Sequence, residues 1–485
     1  MLALNYWCVY KNKKPPGFVI IDIACIYKQD KEIFLMLSIE IFKKLNIETS
    51  NIDVDKSYSD FDIDTLNLII DLYLKKDDNF NCAFCNSSNF TVRGSKVSKI
   101  KTSTLDSKNV LINLHQRVYK CSCCGKLSKE SNPIRTDGHH ISIQKEIMIL
   151  NSLRSITRTY SSVAKEFDVS TSYVLNLFDS KVDLKRLSLP EVICVDEVYL
   201  KKLVKNSYCF IIYAPQWRKI IDVLDSRREL NLIDYFAKIP IIEKNNVKFI
   251  SMDLYEHYRN VIKKCFPNAK ISADPFHVVK QLNNCFQKIR IDTMNHFEYL
   301  KYENHNYYWL YKKYWKLLLM NISDIKGTYI TVNKSGMRMS KYKIIECMLS
   351  LNPTLKIAYE LKEEFRNFIA TATIDTAEYE LIELIAKFKD AHISDYAPFI
   401  NIMEKWFHEI INSFNTINGH KITNGPMERV NRDIKTLNGI SFGSTNFPRM
   451  RNRIMFAINE GAPISPYRKK NTNKRIGKPR GKYKK

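Results

Sequence analysis

The sequence predicts an α/β protein: a mixed sheet interrupted by a helical insertion, with a cysteine-rich module and a pair of short helices ahead of it. Two observations carry the sheet. Segments 192–198, 208–213 and 219–224 are rich in Ile, Val and Tyr and separated by short polar links, as in hairpin-connected strands. Helix-like and strand-like segments then alternate, with helices at 230–237 and 255–265 and strands at 247–252 and 270–273. A third observation sets the insertion. From about 277 to 420 the apolar residues, Trp309, Trp315 and Trp406 among them, keep helical spacing. Residues 190–276 and 421–465 are thus expected to form the two parts of one domain, separated by helices at 277–420.

With 485 residues, 45% of them hydrophobic, the chain is long enough for several cores and too apolar for a disordered scaffold. Against 51 Asp and Glu stand 76 Lys and Arg, a formal charge of +25. Such an excess favours a polyanionic partner, either nucleic acid or an anionic membrane. No apolar run approaches the roughly 20 residues that span a bilayer. The best candidate, 18–27, is short and contains Asp22, and no segment has the layout of a secretory signal. A cytoplasmic protein is expected, with no membrane partner.

Residues 1–80 read as an N-terminal extension, irregular at first and helix-like over 36–80, with no visible chemistry. Over 81–135 two C-x-x-C pairs, Cys82/Cys85 and Cys121/Cys124, flank β-like segments at 110–114 and 118–119. Each such turn aims two thiolates at one ion, and together they complete the tetrahedral shell of one structural zinc, as in a zinc ribbon. Cys123 leaves open which thiols of the second pair bind, and the competing reading is a loop of reduced cysteines.

Residues 140–185 show helical spacing broken near Ser155 and Asp168, which implies three short helices. The last two have the pattern of a helix-turn-helix, with Val163, Ala164 and Phe167 on one apolar face and Val174, Leu175 and Phe178 on the other. Ser170 or Thr171 is placed to cap the final helix. Ser170, Thr171, Ser172 and Tyr173 would lead it into a DNA major groove. A three-helix packing module without DNA contacts has the same spacing. The tail, 466–485, carries Lys and Arg from Arg468 to Lys485 without an acid, and is expected to stay disordered until it meets a phosphate backbone.

Three acids suggest catalysis. Asp196 interrupts an apolar strand, where a carboxylate is costly unless it binds something. Asp253 ends the strand 247–252. Glu428 falls in the first turn of a helix that Asn424 is placed to cap and Pro426 to start. Two strand positions and a helix start converge readily at one edge of a sheet, and hard oxygen ligands select magnesium or manganese. A pair of such ions about 3.5–4 Å apart supports in-line phosphoryl transfer. Asn431 and Lys435 share the face of Glu428 and are placed to touch strand phosphates, or are simple solvated surface.

These residues resemble the ISL3 family of insertion-sequence transposases over about Asn81 to Asn459. The likeness lies in Val195-Asp196-Glu197, in Ser251-Met252-Asp253 with Tyr258, in Phe266-Pro267-Asn268-Ala269, in Asp274-Pro275-Phe276-His277 and in Arg290. It continues in Thr423-Asn424-Gly425-Pro426-Met427-Glu428 through Lys435 and in the stretch from Gly443 to Arg453. The resemblance implies an N-terminal zinc ribbon, a helix-turn-helix, and an RNase H-like catalytic domain in which Asp196, Asp253 and Glu428 are the metal-binding triad. It also implies that Asp274 and His277 organise the site or touch flanking DNA, although Asp-Pro is equally an ordinary helix start.

The expected function is a DNA transposase that binds terminal inverted repeats and performs metal-dependent cleavage and strand transfer. Its partners would be double-stranded DNA and, since two ends must meet, a second copy of the chain; its setting would be the bacterial nucleoid. Two alternatives remain at this point: a non-catalytic zinc and helix-turn-helix DNA-binding protein, and a nuclease of the same fold that cuts without joining.

Overall fold

The structure, a computed structural model, describes residues 41–466 apart from 46, 48–49, 63–66, 78–79, 103–108, 136–139, 201–206, 300–304, 326, 333–337, 418 and 442–445. The apolar opening through residue 35 and the basic tail from Arg468 lie outside the described residues. The chain divides into two compact units, one of residues up to 153 with 160–178, the other of 154–159 with 179 onward.

The first unit holds a five-stranded sheet: β1 (Tyr58–Asp62), β2 (Asn67–Tyr73), β3 (Phe90–Lys101), β4 (Val110–Cys121) and β5 (Leu127–Lys129). β4 is its spine. It pairs antiparallel with β3 along its whole length, parallel with β2 at one end and antiparallel with β5 at the other. The helix-like expectation for 36–80 is corrected here, because 58–62 and 67–73 are strands. Leu68, Ile70 and Leu72 alternate with Asp71 and Tyr73, a period of two that the local acidity obscured. Ile70, Leu72, Ile100, Ile112 and Leu114 form one core with Phe42 and Leu45. The segment before residue 81 and the cysteine region therefore share a sheet. Three helices complete the unit's sequence, Ile143–Ser152, Tyr160–Glu166 and Thr171–Lys181, the last running on into the second unit.

The second unit is built on β6 (Val192–Tyr199), β7 (Tyr208–Ala214), β8 (Lys219–Leu224), β9 (Phe249–Met252) and β10 (Lys270–Ala273), in the order β10-β9-β6-β7-β8. β6, β7 and β8 are an antiparallel meander, while β9 and β10 join parallel to β6. β7 is buried at nearly every position, so both faces of the sheet are covered and the strand reads as a continuous apolar run. Helices Glu229–Ala237 and Glu256–Cys265 pack together, and their Phe236 and Tyr258 rings lie edge-on to Phe210. Helices Phe407–Asn412, Gly425–Ile440 and Phe447–Ile458 pack against β10, β6 and β8.

Between β10 and Gly425 the described chain is mostly helical, with two small hairpins at Tyr329–Thr331/Arg338–Ser340 and Thr416–Ile417/His420–Lys421. Phe286, Phe365 and Phe388 of helices Pro275–Tyr299, Pro353–Thr371 and Ala377–Asp390 form a core with Tyr396 and Phe399, which follow them in the chain, continuous with that of the sheet. Arginines of the stretch ending at Arg453 are spent on anchoring: Arg451 Nε donates to Asp222 at 2.6 Å, and Arg453 to the carbonyls of Ser155 and Arg158. Among the described residues no helix is long and apolar enough to cross a membrane.

Candidate active site and metal centre

Strand register brings the acids together. Cys194 of β6 pairs with Ser251 of β9, and Met252 of β9 with Ala273 of β10. Continued by two residues and by one, this places Asp196, Asp253 and Asp274 in a single row across three neighbouring strands, Asp196 within β6 and Asp253 and Asp274 just past the carboxyl ends of β9 and β10. In open α/β sheets that edge is where ligands collect.

Each acid of the row has defined partners. Asp196 Oδ1 accepts from its neighbour's amide, Glu197 N, at 2.7 Å, and Oδ2 accepts from Asn431 Nδ2 at 2.6 Å. Burial raises its pKa against these donors. Asp253 Oδ1 lies 3.0 Å from His277 Nδ1 and accepts from Asn424 Nδ2 at 3.4 Å. Burial first, and then the Asp196 charge, push the Asp253 carboxyl up to about 7, although His277 opposes them. Asp274 is buried; its Oδ2 meets His277 Nδ1 at 2.9 Å and its Oδ1 accepts from Asn424 N at 3.3 Å. The hydrogen bond that His277 donates to Asp274 raises the His277 pKa, with the charge of Asp253 adding to it. Asp253, Asp274 and His277 each bring a ligand atom within 4.8 Å of the others, close enough to hold a metal ion.

Asp274 occupies the position before Pro275 at a helix start, and its carboxylate is engaged by His277 Nδ1 and Asn424 N. Glu428 is exposed in the first turn of Gly425–Ile440 and stands outside the three-residue cluster. Asn431, one turn further on, reaches Asp196, which overturns its reading as solvated surface; Lys435 is exposed.

Asn424 corrects a second expectation. It precedes the helix, yet its side chain makes no capping bond. Its Nδ2 instead donates to Val195 O at 3.2 Å and to Asp253. Thr423 takes over the turn, its Oγ1 accepting from Gly425 N at 2.8 Å. Glu197 and Tyr258, which the sequence likeness includes, meet here with Arg227, which it does not: the Glu197 carboxylate is hydrogen-bonded by Arg227 and by the Tyr258 hydroxyl. Alternation along β6 separates Glu197 from Asp196, since consecutive residues point to opposite faces.

In the first unit Cys82, Cys85, Cys121 and Cys124 form one cluster, with Sγ separations of 3.6 Å for Cys82 and Cys124 and 3.5 Å for Cys85 and Cys121. Four thiolates about 2.3 Å from a central zinc would be separated by roughly this distance. The two turns have the same form. Asn86 N donates to Cys82 O and Gly125 N to Cys121 O, and Asn86 and Gly125 both have positive φ. Amides of Phe84 and Cys85 pull the Cys82 thiol down to about 6, toward the thiolate a metal needs. The donor set is compatible with zinc, and Cys123 is exposed outside the cluster.

Around the third helix of that unit Asp168 makes the turn at φ 46, and Ser170 Oγ accepts from Tyr173 N at 3.1 Å, so Ser170 is the residue that caps. Thr171 and Ser172 are exposed. Tyr173 is half-buried, with its hydroxyl donating to Glu146 at 2.9 Å.

Residues 193–454 match a family model described as Transposase, of the DDE type, and that span includes the whole acid row. The chain is therefore an enzyme of the polynucleotidyl transferase class. No curated protein matches it. With more than half of its length matched, the chain belongs to the ISL3 family of DDE transposases. Membership implies DNA transposition, a DNA substrate and divalent catalytic metals.

Proposed function

We propose that the chain binds the terminal inverted repeats of an insertion sequence and cuts and joins DNA at a site formed by Asp196, Asp253 and Glu428. The observation that carries this reading is the register that aligns Asp196 with Asp253 at the sheet edge, beside a helix that bears Glu428 one turn before Asn431. The strand order, with a three-strand meander followed by two parallel strands, supports an RNase H-like domain of 190–276 and 421–465 around the insertion 277–420.

The site's acids fit magnesium or manganese, being hard oxygen donors. Two such ions would supply activation of the attacking water or 3′-hydroxyl and stabilisation of the leaving oxygen. Asp196 and Asp253 hold them from the sheet and Glu428 from the helix, where its exposure leaves the carboxylate free to swing toward an ion. His277 supports Asp253, and Asp274 in turn holds His277. Lys435, two turns beyond Glu428, is available to a strand phosphate.

Cys82, Cys85, Cys121 and Cys124 hold one zinc ion and fix the ribbon 81–135. The helices of 140–185 act as the helix-turn-helix, with Thr171 and Ser172 free for base edges and Ser170 and Tyr173 fixing the helix. Because two element ends must be processed together, the active form is a homo-oligomer, most simply a dimer, at bacterial DNA.

The test is a pre-cut, labelled element end incubated with supercoiled plasmid and Mg²⁺ or Mn²⁺. Joined product supports the transposase reading. Cutting of an uncut end without joining moves the function to a nuclease, and specific binding without metal-dependent chemistry moves it to a DNA-binding regulator.

A further inference from the structure

Two asparagines touch the acid row, and each keeps one side-chain oxygen in reserve. The Asn424 amide nitrogen is fixed by two acceptors, Val195 O and Asp253 Oδ1, and the Asn431 amide nitrogen by Asp196 Oδ2. Those acceptors set the orientation of both amides, since only the nitrogen end has hydrogens to give. The opposite atoms, Asn424 Oδ1 and Asn431 Oδ1, are buried and have no hydrogen-bond partner. Buried amide oxygens are seldom left unpaired, and an exception calls for a partner that arrives with a ligand.

Local chemistry indicates that neither side chain is there for its own helix. Asn424 is 3% exposed and sits where a cap is expected, but Thr423 satisfies the turn and leaves the asparagine free to reach across to β6 and β9. A Cβ on Gly425 would stand 3.2 Å from Thr423 Oγ1, so the turn is tight enough to hold that arrangement. Asn431 reaches the same row from one helical turn beyond Glu428.

We infer that Asn424 and Asn431 are positioning residues of the metal site: their amide nitrogens fix one oxygen each of Asp253 and Asp196, and their free amide oxygens accept hydrogen bonds from water carried in with the metal. This rests on the reading of Asp196 and Asp253 as metal ligands. Asp253 is held through Oδ1, which leaves Oδ2 for an ion, whereas both oxygens of Asp196 are held, Oδ1 by Glu197 N and Oδ2 by Asn431. The pairing is reciprocal: Asn424 joins the end of β9 to the backbone of β6, and Asn431 joins β6 to the helix of Glu428. Loss of either amide leaves the acids present but loosely aimed.

The experiment is Mn²⁺ titration of the zinc-loaded full chain without DNA, followed by electron paramagnetic resonance, with metal-free melting and binding to an element end measured in parallel. Asn424→Ala and Asn431→Ala are expected to weaken Mn²⁺ binding by about 10- to 100-fold, the range for residues that orient metal ligands, while end binding persists. A purely structural role would lower the melting temperature and leave Mn²⁺ affinity of the folded chain unchanged; that result overturns the inference. If Asn424→Ala does not fold, Asn431→Ala, at a half-buried position, decides alone. Asp196→Asn and Asp253→Asn separate the two levels of argument. If they lose Mn²⁺ while both asparagine variants keep it, only this inference fails; if they bind Mn²⁺ like the wild type, the metal-site reading itself fails.

Discussion

Replacing His277 with alanine removes the one imidazole between two carboxylates. Its Nδ1 lies 2.9 Å from Asp274 and 3.0 Å from Asp253. At an effective dielectric near 20, an ion pair at this distance is worth about 5 kcal/mol before desolvation. Desolvation and the partial exposure of His277 and Asp253 cancel much of that, while Asp274, with 6% of its side chain exposed, would be left as a buried acid without its cation. A net loss of about 2–4 kcal/mol is expected for the metal-free protein at pH 6, near the value for breaking a buried pair. The folded pKa of His277 is raised. Its contribution is therefore fully present below the unfolded value of about 6.5 and fades as pH rises through the higher folded one. Above that folded value the variant and the wild type should differ much less. Trp217, Trp309, Trp315 and Trp406 all lie in the second unit, so tryptophan fluorescence during urea unfolding in EDTA reports mainly on it. Mn²⁺ should return stability to the variant, since the metal's charge takes the place of the imidazolium. A loss that does not shrink as pH rises above 6.5, or no loss at pH 6, would refute the argument.

Other outcomes follow from the same geometry. Metal analysis should find one zinc per chain, lost in Cys82→Ser and retained in Cys123→Ser; retention in both would remove the four-thiolate assignment. Mn²⁺ affinity should fall about tenfold per pH unit below 7 and level off above it, because the Asp253 carboxyl near 7 must give up its proton to ligate. In the metal-free chain the same raised pKa favours the folded state at low pH, and that contribution is lost as pH rises from about 4 through 7; flat Mn²⁺ affinity between pH 5.5 and 7 would contradict both statements. Removing the tail from Arg468 should flatten the salt dependence of DNA binding and leave the preferred sequence unchanged, as expected for contacts to phosphate alone. A changed preferred sequence would mean that the tail reads bases.

The catalytic sheet was legible because its strands are buried on both faces. Runs such as 208–213 carry enough Ile, Val and Tyr to announce themselves, and Asp196 stood out as an acid inside such a run. The strands at 58–73 were hidden by Asp60, Asp62 and Asp71, which lowered the hydrophobicity of a half-exposed sheet without changing its period of two. The site's supporting groups were illegible for another reason. Capping is a local rule, and it assigned Asn424 to its own helix, whereas its partners Asp253 and Val195 lie 171 and 229 residues away. Asn431 was readable as one face of a helix, but nothing nearby in sequence could tell solvent from Asp196, 235 residues earlier. The cysteine pairs were readable because their chemistry is repeated within each turn.

The central claim is that Asp253, at the end of β9, and not Asp274, at the end of β10, completes the metal site with Asp196 and Glu428. The measurement is cleavage and joining of a labelled element end in Mg²⁺ or Mn²⁺, with a gel shift run beside it to show that every variant still binds. Asp196→Asn, Asp253→Asn and Glu428→Gln should each abolish both reactions, whereas Asp274→Asn should keep weak activity, about 10- to 100-fold below wild type. An active Asp253→Asn enzyme beside a dead Asp274→Asn enzyme would contradict the account and move the second metal ligand to Asp274.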